Sequence, residues 1–445
     1  MSAELDAVST PPPAFLDQHE RLLRIAAAQP EIVSFAGGLP DPALFPRRDL
    51  TRAFLSAVSR PRAEALQYGW PEGLPALRQY VADCLVKRGA QVKPDQVVIT
   101  SGAQQAIFLA LRAALRPGAP LGVEDESYPG ALDAAHAYGA ELTSLEAPAA
   151  GYYVMPSISN PRGQPLGGAL RERLLSRARE FRSVIIEDDA YADTSFSGRV
   201  TRPLLADAPQ RVFHIGTFSK SLCPGLRVGW IVAPERYVRR LLRAKQNNDL
   251  QANGLSQSLL VEYLEQGTFE KHKQRARRAY QRRAKRLCRA LREHLPGLRF
   301  SEPAGGFSVW VETDAPSSED RLFQLALDEG VSLDLGGAFC RSPSGRLSFR
   351  LSYSSVREEK IDDGVRRLAL ALQRLDRETR EIPMKKTKPT PASKTPTSAA
   401  PALRNARPDK RTTAEPDARN ADDKDGNESH AGRGGTSKKS TAAAR

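Results

Sequence analysis

The sequence predicts an α/β protein with one large, mostly parallel sheet covered by helices on both faces, a smaller α+β domain after it, and a disordered basic tail. Three observations carry this. Short apolar runs recur along the chain: Val97-Val98-Ile99-Thr100, Ser183-Val184-Ile185-Ile186, Val212-Phe213-His214-Ile215 and Val228-Gly229-Trp230-Ile231-Val232, as buried strands do. Segments with helical spacing of apolar residues separate most of them. Beyond about Asp376 large apolar residues nearly vanish, and such a composition cannot bury enough surface to offset the ordering of the chain.

The first 29 residues read as a proline-containing arm and a short helix with Phe15, Leu16, Leu22, Leu23 and Ile25. Residues 32–46 carry Gly37, Gly38, Pro40, Pro42 and Pro46 and form a shaped loop able to border a ligand. Leu77, Tyr80, Val81 and Leu85 mark a helix from Leu74 onward. A strand at 97–100 then turns through Ser101-Gly102 into a helix ending near Pro117-Gly118. Alternation continues with a strand at 121–123, a helix over 130–137, a strand near Leu142, a helix over 169–181 and the strands already named. One long polar helix is expected around 241–292, leading into a second domain with strands at 307–311 and 347–351.

The formal net charge is +14, from 66 Lys and Arg against 52 Asp and Glu. Much of the excess sits in residues 271–292 and in the tail. Tyr280, Ala284, Leu287, Leu291 and Leu295 recur at helical spacing in the first of these, which points to a solvated helix face rather than a nucleic-acid site. The tail can add nonspecific, salt-sensitive contact with polyanions. The spacing of Cys84, Cys223, Cys288 and Cys340 fits neither a disulfide framework nor a zinc motif. No apolar run is long enough to cross a bilayer, no leader pattern stands at the N-terminus, and the cytoplasm is the expected location.

The chemistry centres on Gly216-Thr217-Phe218-Ser219-Lys220, followed by Pro224-Gly225-Leu226-Arg227. Alone, the first string also describes a surface turn with an ordinary lysine. An aldehyde cofactor, pyridoxal 5'-phosphate, accounts for more of it. Lys220 bonds the aldehyde and later serves as general acid and base, Thr217 and Ser219 donate to the phosphate, and Arg227 adds a planar cation. Ser101-Gly102-Ala103-Gln104, between a strand and a helix, aims free N–H groups at the same anion. By itself Ser-Gly is only a helix start.

In Glu187-Asp188-Asp189-Ala190-Tyr191, three acids follow a strand, but consecutive residues do not point one way, and no histidine cluster completes a metal site. No metal is expected. Asp188 instead partners the protonated ring nitrogen of the cofactor. Tyr191 and Asn160 reach its phenolic oxygen, Ala190 packs on the ring, and Tyr128 stacks on the opposite face. Arg350 sits in an alternating strand and needs a counterion, which a substrate α-carboxylate supplies or, less specifically, a surface salt bridge does. Gly38 lets backbone approach that carboxylate.

From about Ile32 to Leu375 the chain resembles the fold-type I pyridoxal-phosphate enzymes of the class I/II aminotransferase group. The resemblance rests on Phe35-Ala36-Gly37-Gly38-Leu39-Pro40, Gln67-Tyr68-Gly69, Ser101 to Gln105, Asn160-Pro161-Arg162-Gly163, Glu187 to Tyr191, the lysine-arginine segment and Gly305-Gly306-Phe307. It implies a large cofactor-binding domain at 67–269 and a small domain at 270–375. Residues 1–66 form the arm and part of the small domain, and 376–445 form the tail. It also implies a homodimer in which Tyr68 reaches the neighbouring phosphate, and Arg350 as the substrate-carboxylate residue.

The 2-aminoadipate-like branch is the nearest flavour, a branch that also supplies the effector domain of certain bacterial transcription regulators. The chain is not expected to carry their winged-helix domain ahead of the match. Arg162 stands where the group commonly has threonine, which bears on substrate preference. The expected reaction moves an amino group from an L-amino acid to a 2-oxo acid. β-Elimination, decarboxylation and a non-catalytic cofactor-sensing role are the alternatives.

Overall fold

The computed structural model describes residues 29, 31–59, 64–199, 201–316, 319–342 and 345–381. The expected arm, apart from Gln29, and the expected tail from residue 382 onward lie outside them. In chain order the first half comprises β1 (Val33–Ser34), α1 (Arg47–Ser59), α2 (Pro75–Lys87), β2 (Val97–Thr100), α3 (Ala103–Ala114), β3 (Pro120–Val123), α4 (Pro129–Tyr138), β4 (Glu141–Ser144), β5 (Gly151–Val154), α5 (Gly168–Glu180) and β6 (Val184–Asp188). Then come β7 (Val212–Thr217), β8 (Gly229–Val232), α6 (Glu235–Asp249), α7 (Gly254–Glu265) and α8 (Phe269–His294). The last part holds β9 (Arg299–Phe300), β10 (Ser308–Pro316), α9 (Glu319–Asp328), β11 (Val331–Ser332), β12 (Asp334–Leu335), β13 (Arg346–Ser352) and α10 (Ile361–Glu381).

Seven strands form the large sheet in the order β2-β8-β7-β6-β5-β3-β4. Only β8 opposes the rest, being antiparallel to both β2 and β7. Helical crossovers impose this direction on the parallel strands. Alternate residues of each strand feed two cores. Val184, Ile186, Phe213 and Ile215 face one layer, and Ile185, Val212 and Val232 face the other. The sequence expectation of a large sheet buried on both faces is met. A four-stranded sheet, β12-β13-β10-β9, and the parallel pair β1-β11 complete the described fold.

Two boundaries differ from the sequence reading. The single long helix expected over 241–292 is three helices. Leu250 takes a left-handed φ of 55° and Gly267 one of 69°, while the Asn253 side chain accepts from Ser256 N at 2.8 Å and starts α7. Helix α10 also runs past Asp376 to Glu381. Ion pairs replace apolar burial in that last stretch, with Arg380 on Asp376 at 2.9 Å and Arg321 on Glu378 at 2.6 Å.

Helix α8 buries Tyr280, Ala284, Leu287 and Leu291, as the spacing implies. Its outward arginines engage carboxylates: Arg283 pairs with Asp41 at 2.6 Å and Arg282 with Glu358 at 3.4 Å, and Arg286 and Arg292 pair with Asp362 and Glu302. Among the described residues no helix is long and apolar enough to cross a membrane, and no cluster of metal ligands occurs.

Candidate active site

The C-terminal ends of β6 and β7 open onto a cavity of about 580 Å³, where ligands collect in open α/β sheets. Its wall brings together Gly38, Ala103, Gln104, Tyr128, Asn160, Asp188, Ala190, Tyr191, Thr217, Ser219, Lys220, Arg227 and Arg350. These come from segments scattered over more than three hundred residues. Three of the residues singled out from sequence are not on the wall. Ser101 and Gly102 stand behind Arg227, and Tyr68 projects to solvent, 82% exposed.

Asp188 ends β6 with its side chain in the cavity. Tyr153 Oη donates to its Oδ2 at 2.8 Å and Ala190 N to its Oδ1 at 3.1 Å. Burial nevertheless pushes its pKa up to about 6, against the lowering by those two donors. Lys220 Nζ lies 3.4 Å from Gly38 O and over the rings of Tyr191 and Phe307 at 5.4 and 5.7 Å. Burial first, and then the Arg350 charge, pull its amine down to about 8, with Asp188 opposing. Tyr191 packs edge-on against Phe307, and its hydroxyl is raised to about 12 by burial.

A second cluster lies where α3 begins. Gly102 has a φ of 90°, and a Cβ there would stand 2.7 Å from Arg227 Nη2. The glycine thus allows the guanidinium to lie against the helix N-terminus, where Nη2 donates to Ser101 O at 3.2 Å. Among the described residues no carboxylate pairs with Arg227. A cation beside the positive end of a helix dipole makes a place that favours an anion. Ser219 N donates to Thr217 Oγ1 at 3.1 Å, and Thr217 Oγ1 reaches Val228 O at 2.9 Å, fixing the turn that carries Lys220. These donors suit a phosphate, and the buried carboxylate suits a protonated ring nitrogen, so the residues fit pyridoxal phosphate.

Arg350 is buried at the opposite end. Its Nε and Nη2 donate to Asp334 Oδ2 at 2.9 and 2.6 Å, and Nη1 donates to Asn160 Oδ1 at 2.8 Å. Gly37 N reaches the same Asp334 carboxylate at 3.1 Å, and a Cβ on Gly38 would stand 3.3 Å from both terminal nitrogens. The sequence reading offered a substrate carboxylate or a surface salt bridge as the counterion; the structure instead places a buried pair with Asp334 there. Asp334 was missed because it lies in a two-residue strand whose pairing with Arg350 appears only in the register of β12 and β13. Tyr153 and Asp249 were also missed. Asp249 takes Lys245 Nζ at 2.6 Å, Gln105 Nε2 at 2.8 Å and Ser101 Oγ at 3.3 Å, so it props the Ser101 turn.

Residues 51–368 match the family model for aminotransferase class I and II. A 2-aminoadipate transaminase of Thermus thermophilus is 36% identical, over 78% of this chain and 91% of that one. The crystal structure of the α-aminoadipate aminotransferase LysN from Thermus thermophilus, complexed with N-(5'-phosphopyridoxyl)-L-leucine, superposes with a TM-score of 0.74 at 34% identity, covering 80% of this chain and 95% of that one. An uncharacterised HTH-type transcriptional regulator of Escherichia coli is 30% identical over 78% of each chain. The chain belongs to the class I and II aminotransferases and is a pyridoxal-phosphate-dependent enzyme that moves amino groups between amino acids and 2-oxo acids.

Proposed function

We propose that the cavity transfers the amino group of L-amino acids with long aliphatic or acidic side chains, with Lys220 as the group that moves the proton. The observation that carries the assignment is the convergence of Lys220, Asp188, Arg227 and Arg350 on one wall. The substrate range is supported by the aminoadipate-specific name of the Thermus relative and by the leucine adduct in its solved structure. Aromatic donors belong to the same screen.

When bound, pyridoxal phosphate supplies an aldehyde and a conjugated ring that accepts electron density from the substrate's α-carbon. Arg227, the Ser219 hydroxyl and the N–H groups of Ala103 and Gln104, which line the cavity, would hold its phosphate, with Thr217 and Gly102 shaping the turns behind them. Asp188, braced by Tyr153, keeps the proton on its ring nitrogen. Tyr128 and Ala190 cover its two faces, and Asn160 and Tyr191 serve its phenolic oxygen. Arg350 takes the substrate α-carboxylate on the face it turns to Gly38, with Asp334 holding the guanidinium's orientation. Lys220 Nζ then removes the proton from the α-carbon and returns one later in the cycle. Its pKa, lowered from 10.5 to about 8, leaves roughly a tenth of the amine neutral at pH 7, against well under a thousandth for an ordinary lysine.

Exposed Leu66, Tyr68, Trp70 and Leu250 lie on segments tied together by the hydrogen bond from Gly69 N to Gln251. We assign this apolar edge to a homodimer contact that carries Tyr68 to the phosphate site of a second copy. Light scattering on the holoenzyme should give twice the chain mass; one chain mass with full coenzyme occupancy contradicts the assignment.

The regulator relatives favour a second reading, in which the cofactor is bound but not turned over. Lys220→Ala should abolish most turnover, and the unsubstituted enzyme should consume one added 2-oxo acid for each amino acid returned. Full activity in the variant, or release of ammonia or carbon dioxide without oxo-acid consumption, contradicts the proposal. Coenzyme uptake by the coenzyme-free protein reports on Lys220 alone. The neutral amine is the nucleophile, so the rate should climb with pH and level off above about 8; a midpoint near the ordinary lysine value of 10.5 would contradict the burial argument.

A further inference from the structure

The coenzyme chemistry uses one face of β6 and β7 and leaves unexplained three polar residues on the other. Along β6 and just beyond it, Asp188 points to the front cavity, whereas Glu187 and Asp189 point to the back, with His214 of β7 beside them. There the back face opens into a second cavity of about 600 Å³, as large as the front one. Thr217 and Ala190 line both.

This back cavity has an aromatic floor and a polar end. Phe218 packs against Trp230 with centroids 5.1 Å apart, against Phe269 at 5.9 Å and against Tyr80 at 6.3 Å. Gly216 permits the indole to lie across the sheet, since a Cβ there would stand 2.1 Å from Trp230 Cζ2. At the polar end Asp189 is 1% exposed at its side chain; its Oδ2 takes Arg88 Nη2 at 2.6 Å, and its Oδ1 has no partner among the described residues.

His214 is 0% exposed at its side chain. Its Nδ1 lies 3.0 Å from Glu187 Oε2, and the Glu187 oxygens also accept from Leu204 N and Leu205 N at 2.6 and 3.1 Å. Nδ1 faces the Glu187 carboxylate, which leaves Nε2 as the ring atom open to a ligand. It too is unpartnered among the described residues, as is the Trp230 Nε1 donor. Buried, unpaired polar groups carry a standing cost that a complementary ligand removes.

We propose that the back cavity is a second binding site, for a flat amino-heteroaromatic molecule. Its ring lies on Phe218 and Trp230, and its adjacent N–H groups donate to Asp189 Oδ1 and His214 Nε2. Two acceptors and one donor set the hydrogen-bond pattern, and the aromatic floor sets the shape. Arg88 pairs with Asp189, and Lys273 with Asp193 and Glu270, so the lining's carboxylates are already countered and a neutral ligand is accommodated.

The probe is 2-aminobenzimidazole, titrated calorimetrically into holoenzyme, with benzoxazole as a control that keeps the fused bicyclic ring but lacks the amino group and all N–H donors. Saturable binding is expected with a Kd on the order of 0.1–1 mM for a fragment of this size, at least about tenfold weaker for benzoxazole. Leu264→Trp, which fills the cavity without touching its acceptors, should abolish binding while coenzyme loading and transamination persist. Asp189→Asn should weaken it; if that variant does not fold, the benzoxazole and Leu264→Trp comparisons decide. Absence of saturable binding, with ordered water alone satisfying these atoms, overturns the proposal. So do equal affinity for benzoxazole, and binding that survives Leu264→Trp but is displaced by a 2-oxo acid, which would place the probe in the front cavity.

Discussion

A carboxylate held out of water at the end of β6 organises this molecule. Asp188 lies under the cavity, and burial moves its pKa from 3.8 to about 6, a penalty of roughly 3 kcal/mol against the charged form. That penalty is what remains after the Tyr153 hydroxyl and Ala190 N–H have offset part of the cost of burial. A neighbouring positive charge restores the balance, and a protonated ring nitrogen supplies one without a competing side chain. Other placements follow from that need. Lys220 stands just past the end of the adjacent strand on the wall of the same cavity, and under the proposed function Arg227 and the start of α3 would hold the phosphate.

The central strands and their end residues were legible in the sequence because their signals are local. An apolar run followed by Glu187-Asp188-Asp189-Ala190-Tyr191, or by Thr217 to Lys220, describes a strand and its exit without knowledge of any other segment. Asp334 and Tyr153 were not legible. Each acts through a partner that only strand pairing brings near: Asp334 opposite Arg350 across β12 and β13, and Tyr153 beside Asp188 across β5 and β6. Of the two helix breaks, Asn253-Gly254 and Gly267 are ordinary turn signals that the reading passed over, and only the turn at Leu250 was hidden. Leu250 adopts a left-handed conformation that its residue type disfavours, so nothing in its identity announces the turn.

The same alternation that separates Asp188 from Asp189 gives the sheet two working faces. The front gathers groups for a bound anion, a protonated nitrogen and an α-carboxylate. The back gathers Glu187, Asp189, His214 and Trp230 around aromatic rings, and these polar residues interrupt what a purely structural sheet would fill with valine and isoleucine. Basic side chains are handled differently. On α8 they find carboxylates of neighbouring segments, whereas Arg227 has no such partner among the described residues and is left for the coenzyme.

The measurement closest to the central claim is the rate of the first half-reaction in Asp188→Asn holoenzyme with a saturating amino donor. Asparagine keeps the size and a hydrogen bond but removes the charge that holds the ring-nitrogen proton. The account predicts that coenzyme stays bound through Arg227 and Ser219 while the rate falls by more than about a hundredfold. A variant that binds coenzyme and reacts at close to the original rate would contradict it.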